Sequence, residues 1–438
     1  MLSSIPSMFW GVGALVWVPL SVAIGKRPVF LFCAVLLSLS TFWAAVSRSL
    51  YSHLGARCVQ GFAGSISPST MLLMLIDLTY IHQRPQYLAV FWCLCNCLAN
   101  IGLALTPYII SAGESWRCFY WIWFGPCLLS VLITFFFCPE TSFQRPAVAF
   151  DGHILAQSTS GGITVYSDWE EVPGGKPMPE VPVESKWKAF VRERIIWDLN
   201  KAEGWTGVKS FGHQFILCVL NPLIVWSLVL NALVFGSMII TCTTFVQILM
   251  ASPYNFSFTA IGLAKLSPAA GALLALPVSG FVATRIVRFL TKRNKGVREP
   301  ENYLPSFIIP ILACCSSLAL FGFAAENHWD WRWICLFVGL DYFSAIALFT
   351  ANTLWVTESF PRWTGPVLVV VGAGSYGISF ALSSGVIPWM SAEGFTKTYI
   401  QLAMVILILS CAGIPVNIWG KRFREYVHAR WGSTVEAL

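Results

Sequence analysis

Charged residues are scarce in this chain. Asp, Glu, Lys and Arg together make up 11% of its 438 residues, against about 25% in an ordinary soluble domain. Hydrophobic residues make up 56% and aromatic residues 15%, which is more than the about one to three soluble cores allowed by this length could bury. The sequence therefore excludes a soluble globular protein and predicts that lipid surrounds most of the chain.

Residue patterns for catalysis and for cofactor binding are also missing. The six histidines lie in loops or near the ends of apolar runs, and no Gly-x-x-x-x-Gly-Lys-Ser/Thr loop occurs, which argues against a membrane enzyme and an ATP-driven pump. The run Gly372-Ala-Gly374-Ser-Tyr-Gly377 matches a dinucleotide fingerprint, but it lies in an apolar stretch without a βαβ context. Close helix packing explains it better, and the sequence predicts neither catalytic residues nor a cofactor.

Cysteine, by contrast, is plentiful, with fourteen residues that nearly all fall in apolar stretches. Cys93, Cys95 and Cys97 are spaced by two on a predicted helix, so their side chains point in different directions and cannot chelate one ion. We interpret the cysteines as small apolar residues and predict no metal site.

Long apolar runs dominate the chain. A bilayer core about 30 Å thick requires roughly 20 apolar helical residues, and a helix satisfies its own backbone hydrogen bonds in lipid. The sequence thus predicts an all-α polytopic membrane protein with about eleven spans. They cover residues 8–24, 28–46, 53–75, 87–110, 117–138, 217–249, 257–284, 304–325, 331–355, 365–390 and 398–419.

Basic residues divide unequally between alternate loops. One set of loops holds 22 of the 28 Lys and Arg residues and the other holds four, with Arg57 and Lys265 inside spans. Since basic residues are retained on the cytoplasmic side, the C-terminus is predicted to be cytoplasmic and Met1 to be outside.

A stretch rich in Pro, Gly, Ser and charge separates two halves. The predicted domains are an N-terminal bundle of five spans (1–138), a cytoplasmic linker (139–216) and a C-terminal six-helix bundle with a cytoplasmic tail (217–438). Within the linker, an apolar stripe at helical spacing predicts a helix on the inner membrane surface, or else a short solvated helix. The stripe consists of Trp187, Phe190, Val191, Ile195, Leu199 and Ala202.

Three charges inside the spans are candidates for a function. Arg57 lies several residues inside its run, at a cost of about 2.5 to 3.5 kcal/mol unless it is paired or hydrated. Lys265 and Asp341 lie at similar depths, so they are predicted to form either a proton- or substrate-responsive ion pair or a structural salt bridge. The alternative for Arg57 is that its side chain reaches the outer interface and anchors the helix.

Several motifs resemble those of a known transporter family. They are the run Pro19 to Pro28 with Gly25-Lys26-Arg27, the run Arg57-Cys-Val-Gln60-Gly61, and the run from Asp77 to Arg84. This pattern resembles the fungal major facilitator superfamily, and more narrowly its twelve-spanner drug:proton antiporter branch. The resemblance implies a two-bundle fold in which the first run here corresponds to the second helix of the family, so that the first helix of the family is lacking.

The resemblance also suggests roles for individual residues. Gly25 permits a tight inner turn that Lys26 and Arg27 anchor, while Val22 stands where the family commonly has an acidic latch residue. Arg57 and Gln60 correspond to a motif that tunes proton transfer. Gly102 and Pro107 occupy the place of the antiporter motif, although Thr106 replaces one of its glycines.

Polar residues inside apolar runs are candidates for lining a central cavity, and others will bind neighbouring helices. The candidates are Asn96, Asn100, Asn231, Tyr342, Asn352 and Tyr376.

The implied function is secondary active transport of a small organic solute by alternating access, with proton-coupled export as the favoured form. The alternative is a transporter-like membrane sensor or a nonfunctional truncated transporter. The expected partners are the solute, protons and the lipid bilayer, without nucleic acid, for a monomer in the plasma membrane or, alternatively, the vacuolar membrane.

Overall fold

The computed structural model describes most of the chain in side-chain detail. The described residues are 5–80, 83–113, 115–138, 141, 148–150, 153–157, 163–166, 204–294, 299–420 and 422–423. The stripe from Trp187 to Ala202 that predicted a linker helix lies outside them.

Eleven helices among the described residues are long and apolar enough to cross a membrane, which confirms the predicted fold class. Five lie in the N-terminal half. They are α1 (Ile5–Ile24), α2 (Lys26–Val46), α3 (Leu50–Leu78), α4 (Arg84–Ser111) and α5 (Arg117–Phe137).

The C-terminal half begins with a shorter helix, α6 (Gly204–Leu220), followed by six spans. They are α7 (Pro222–Met250), α8 (Phe258–Arg293), α9 (Pro300–Glu326), α10 (Trp331–Ser359), α11 (Thr364–Glu393) and α12 (Phe395–Gly420). The sequence predicts a single span over 217–249, whereas the structure ends one helix at Leu220 and begins the next at Pro222. The reason is local: Asn221 caps α7 by accepting a hydrogen bond from the Leu223 backbone N–H, and Pro222 suits the first helical position.

Two of the spans contain a single π-helical turn that starts beside a proline. Ser67–Met71 interrupts α3 next to Pro68, and Pro277–Val282 interrupts α8. Such turns widen a helix locally and are frequent at functional sites.

A three-stranded antiparallel sheet occupies part of the stretch predicted as a linker. Its strands are β1 (Val148–Phe150), β2 (His153–Gln157) and β3 (Ile163–Tyr166), in the order β1-β2-β3. The amino-acid sequence predicts a helix but no strands in this stretch.

The two halves meet along several helix pairs, among them α1 with α11 and α4 with α8. Glycines permit both approaches: a Cβ at Gly11 would lie 3.0 Å from the carbonyl oxygen of Ala373, and one at Gly262 would lie 2.7 Å from that of Ala104. Small residues at such crossings are the usual means of close helix packing in lipid.

The C-terminal half is held by an even closer crossing. A Cβ at Gly271 of α8 would lie 1.9 Å from the carbonyl oxygen of Gly339 in α10. Because α10 contacts α7, α8 and α9 as well, it is the most buried of the described spans. By contrast, Thr134 is the only described residue of α5 that is buried.

The spans share one strongly basic end. We call the end that carries Lys26, Arg84 and Arg285 the basic face, and the other end the opposite face.

Candidate solute pathway

A cavity lies between the two halves, in the part of the molecule nearer the basic face. The N-terminal half contributes Pro68 and Leu72 from α3 and Trp92 from α4. The C-terminal half contributes the remaining wall from α7, α10 and α11. Those residues are Asn231, Phe235, Phe349, Asn352, Thr353, Val356, Leu368, Val371, Gly372, Ser375 and Tyr376. Pro68 belongs to the π-helical turn of α3, so that turn forms part of the wall.

A chain of aromatic rings runs along this wall and joins the two halves. Trp10 of α1 meets Tyr376 at 5.5 Å between ring centroids, and Tyr376 meets Phe235 at 5.2 Å. Phe235 meets Phe349 at 5.9 Å, and Phe349 meets Trp92 of α4 at 5.6 Å. The two pairs that Tyr376 forms are edge-to-face, with interplanar angles of 79° and 75°. The two pairs that Phe349 forms are tilted, at 55° and 54°.

Two amides of the wall are held by hydroxyl groups. The Asn352 Oδ1 accepts a hydrogen bond from Ser227 Oγ at 2.7 Å, and Asn231 Nδ2 donates to Ser375 Oγ at 3.0 Å. These bonds fix one end of each amide and leave the other end available to a bound molecule.

Three of the six predicted cavity residues therefore line the wall, namely Asn231, Asn352 and Tyr376. The other three do not. Asn96 and Asn100 lie on α4 and donate to the carbonyl groups of Trp92 and Asn96, each 2.9 Å away within their own helix. Tyr342 is buried in the C-terminal half beside Cys242.

Sequence reasoning misses Trp92, Phe235 and Phe349. Aromatic residues make up 15% of the chain, so aromatic identity does not mark a position as part of the cavity.

The cavity is small in this conformation. Its volume is about 50 Å³, enough for a few water molecules, whereas pockets for organic ligands measure roughly 300 to 1,000 Å³. An organic solute thus requires the two halves to move apart.

Both intramembrane charges of the C-terminal half are buried, but they do not form the predicted ion pair. Lys265 Nζ donates to Cys242 Sγ at 2.9 Å and lies 5.6 Å from the centre of the Phe245 ring. Asp341 is 1% exposed, and neither of its carboxylate oxygens has a hydrogen-bond partner within the described ranges. We call Thr241, Cys242, Lys265, Asp341 and Tyr342 the polar cluster.

Arg57 is held inside the N-terminal half. Its Nη1 donates to Gln60 Oε1 at 2.9 Å, and Gln60 Nε2 donates to the Thr41 hydroxyl of α2 at 3.1 Å. Arg57 and Gln60 thus act on each other and on α2, away from the residues that line the cavity.

The turn between α1 and α2 has the predicted glycine geometry. Gly25 has φ 111°, a conformation that favours glycine. Lys26 forms an ion pair with Asp77 at the end of α3, and Arg27 Nη2 donates to the carbonyl group of Phe135 at 3.0 Å. Val22 leaves the position of the expected acidic residue apolar.

A second ion pair on the basic face crosses between the halves. Arg84 Nη1 at the start of α4 lies 3.1 Å from Glu358 Oε1 at the end of α10, with side-chain exposures of 14% and 15%. Sequence reasoning misses Glu358 because the predicted span ends at residue 355. The signal that could have found it was an acidic residue just beyond the end of a predicted span, on a face rich in basic residues.

Helix α6 packs against α1 and α11 at the same face. Its Phe211 is 7% exposed and packs in one apolar core with Leu73 of α3. A Cβ at Gly365 of α11 would lie 3.6 Å from the Phe211 ring. The ion pair and this contact both connect the two halves near the basic face.

Comparison with known proteins agrees with this architecture. The sequence profile described as Major Facilitator Superfamily matches residues 1–384. The chain belongs to the major facilitator superfamily.

Curated relatives of this major facilitator come from fungi. An uncharacterized MFS-type transporter of Schizosaccharomyces pombe is 21% identical over 93% of this chain and 74% of its own length. Protein HOL1 of Saccharomyces cerevisiae is 21% identical over 97% of this chain and 80% of its own. The multidrug transporter FLR2 of Candida glabrata is 23% identical over 85% of this chain and 58% of its own.

Solved structures show the same fold. The proton:xylose symporter XylE superposes with a TM-score of 0.59 at 15% identity, over 98% of this chain and 88% of its own. The human organic anion transporter MFSD10 superposes with a TM-score of 0.58 at 15% identity, over 94% of this chain and 82% of its own.

Family membership confirms that this major facilitator is a multi-pass membrane protein of a transporter family and that it is not an enzyme. Its relatives include proteins named as transporters. No group of three or more potential metal ligands occurs among the residues that the structure describes.

The motif on α4 lies where the halves meet. A Cβ at Gly102 would lie 2.7 Å from the Trp123 ring of α5, while Pro107 packs against Gly262 of α8 in the other half. The two motif residues of this major facilitator therefore hold α4 between its own bundle and the opposite one.

Proposed function

We propose that this chain exports a small organic solute by alternating access, driven by protons, as a member of the drug:proton antiporter branch. The basic face is the cytoplasmic one, because basic residues are retained there, and the C-terminus lies on that side. The plasma membrane is the proposed location. The observation that carries the proposal is the cavity, whose wall comes from both halves and which separation of the halves would enlarge.

The contacts between the halves suggest how access could alternate. On the basic face, the Arg84–Glu358 ion pair and the Phe211 contact connect the two halves. On the opposite face, Tyr108 Oη of α4 donates to the Thr259 carbonyl of α8 at 3.4 Å, near the packing of Pro107 on Gly262. Opening one set of contacts while keeping the other would expose the cavity to one side at a time.

The polar cluster supports the proton-coupled part of the proposal. An ionised carboxylate in the interior is costly without a paired cation, and the Lys265 ammonium contacts Cys242 rather than Asp341. A proton on Asp341 would remove that cost. We therefore assign Asp341 as the proton carrier and Lys265 as the charge that responds to it, while Arg57 and Gln60 tune the N-terminal half.

The direction of transport and the branch rest on Gly102 and Pro107 and on relatives named as a multidrug transporter and an efflux pump. In the same proposal, α1 corresponds to the second helix of the family. Its packing against α11 agrees with an interface position.

The test is solute flux in liposomes that contain the purified chain. A panel of organic solutes is measured with an imposed pH gradient, with the gradient collapsed by a protonophore, and in protein-free liposomes. We expect accumulation that depends on both the protein and the gradient. A second version with one additional N-terminal helix from a relative is measured in parallel.

Each outcome has a defined meaning. Flux that persists after collapse of the gradient would refute proton coupling but keep transport. Flux in the extended version alone would assign the solute path to a twelve-helix bundle. Absence of flux in both versions, with correctly folded protein, would refute the proposed function and favour a sensor.

A further inference from the structure

The wall of the cavity is free of charge. None of the fourteen residues that line it, all within the described ranges, is Asp, Glu, Lys, Arg or His. Asp341 and Lys265 belong to the polar cluster and are not part of the wall. A solute that enters this cavity therefore meets no group that could neutralise a net charge.

Four of the fourteen residues of the wall are aromatic. Tyr376, Phe235, Phe349 and Trp92 follow one another at centroid distances between 5.2 and 5.9 Å. Because the rings are tilted against each other, they offer both edges and faces, and a planar ring system can continue the series.

The polar part of the wall offers hydrogen-bond donors that are free. The Trp92 indole N–H has no partner in the described chain and is enclosed by protein in this conformation, so it would become available to a solute when the halves separate. Asn352 uses Oδ1 for the Ser227 hydroxyl, so its Nδ2 is also available. Both groups donate, and a carbonyl oxygen of a solute would accept from them.

We propose that the cavity selects neutral, planar aromatic solutes that carry a carbonyl acceptor, and that it rejects polyamines and other cations. The inference rests on the proposed function in taking this cavity as the solute site. Ring faces also attract cations, but a cation would give up its hydration here without a carboxylate to replace it. The aromatic series thus favours a neutral ring system.

The test uses a matched pair of probes on the purified chain in lipid nanodiscs. One is 7-methoxycoumarin, a neutral planar lactone, and the other is the same coumarin with a trimethylammonium group at position 7. Equilibrium dialysis measures the affinity of each, and spermidine serves as a competitor. We expect the neutral probe to bind at least about tenfold more tightly, the factor that 1.4 kcal/mol represents. We expect spermidine not to displace it.

Two variants locate the binding. Trp92→Phe keeps a ring but removes the donor, and should weaken coumarin binding by about three- to tenfold. Its control is Trp121→Phe, on the outward side of α5 at 49% exposure. Asn352→Asp keeps an acceptor for Ser227 and adds a negative charge, so it should favour the ammonium probe over the neutral one. This variant keeps the test decisive if Trp92→Phe folds poorly.

The inference fails if the two probes bind equally to the unmodified chain, if neither binds, or if neither Trp92→Phe nor Asn352→Asp changes the affinities. Binding with the expected selectivity but without flux would leave this inference standing and reject the proposed function. Flux confined to charged solutes would support transport and reject the inference.

Discussion

Asp341 and Lys265 are buried ionisable residues of the C-terminal half that do not pair with each other. Both lie deep in the C-terminal half, yet the ammonium of Lys265 contacts a thiol, and the carboxylate of Asp341 has no hydrogen-bond partner in the described chain. The Thr241 side chain of α7 lies close to this carboxylate. A carboxyl group kept without a cation is retained at a cost, which is the reason to expect a role in coupling.

The first prediction concerns Asp341→Asn, which keeps the shape of the side chain and removes its titration. We expect flux driven by the pH gradient to fall by at least about tenfold, equivalent to 1.4 kcal/mol, while coumarin binding stays within a factor of about two because the residue does not line the cavity. Flux and equilibrium dialysis on the same protein give both values.

The matched control is Glu393→Gln, an exposed acidic residue at the end of α11. This substitution should change neither the flux driven by the pH gradient nor the affinity for coumarin. Full gradient dependence in Asp341→Asn would exclude this carboxyl group as the proton carrier.

For single residues, the sequence reveals which polar side chains lie in apolar runs but not the direction in which each side chain points. The charges inside the spans and Asn231, Asn352 and Tyr376 are visible because polar groups are rare in apolar runs. Asn96 and Asn100 have the same signal, but their side chains bond to their own helix. The orientation of a helix with apolar residues all around is fixed by its neighbours, which a single sequence does not show.

Among the elements, the glycines determine how closely helices approach. The three glycines of the motif Gly372-x-Gly374-x-x-Gly377 differ in how closely a neighbouring helix approaches them. A Cβ at Gly374 would lie 2.1 Å from a methyl group of Leu228, whereas a Cβ at Gly372 or Gly377 would meet no neighbouring atom within 4 Å. The packing that the sequence predicts for this motif thus applies to one of its three glycines.

The second prediction compares Gly271→Ala with Gly377→Ala. At Gly271 the new methyl group would meet the backbone of Gly339, which cannot rotate away, so we expect a loss of stability of roughly 1 to 3 kcal/mol or more. At Gly377 there is open space, and we expect a change within about 0.5 kcal/mol. Thermal unfolding of the two purified variants measures both, and equal midpoints would show that α8 and α10 do not cross as described.

The eleven spans could be predicted from the sequence because each needs only length and hydropathy. The break at Asn221 could also have been read from Asn-Pro, a capping residue followed by a favoured first residue. The small sheet could not, since short strands in a polar stretch carry no comparable signal.

For the whole molecule, the arrangement of charges on the basic face defines which parts move together. The Lys26–Asp77 pair lies within the N-terminal half, whereas Arg84–Glu358 connects the two halves. Separation of the halves at this face leaves the first pair intact and must break the second.

The third prediction concerns that second pair. Arg84→Gln or Glu358→Gln should favour opening at the basic face by about 1 to 3 kcal/mol, because both side chains are largely buried. Hydrogen exchange should become faster at the start of α4 and the end of α10. The exchanged pair Arg84→Glu with Glu358→Arg should restore much of the protection.

Arg285→Gln is the control for this experiment, because Arg285 lies exposed on the same face and is in neither ion pair of the described chain. Faster exchange in this control, or no recovery in the exchanged pair, would contradict a latch between the halves.

The depth of Asp341 also has an electrical meaning. Asp341 stands ten residues after Trp331, where α10 begins, so a rise of 1.5 Å per residue places it about 15 Å into a core about 30 Å thick. A proton that reaches it from the opposite face would cross about half of the membrane voltage. At 100 mV, negative inside, this adds about 1.1 kcal/mol to proton binding, or about a sevenfold higher affinity. On the proposed mechanism, the voltage therefore sets how much of the protein is loaded with a proton, even when the pH is equal on the two sides.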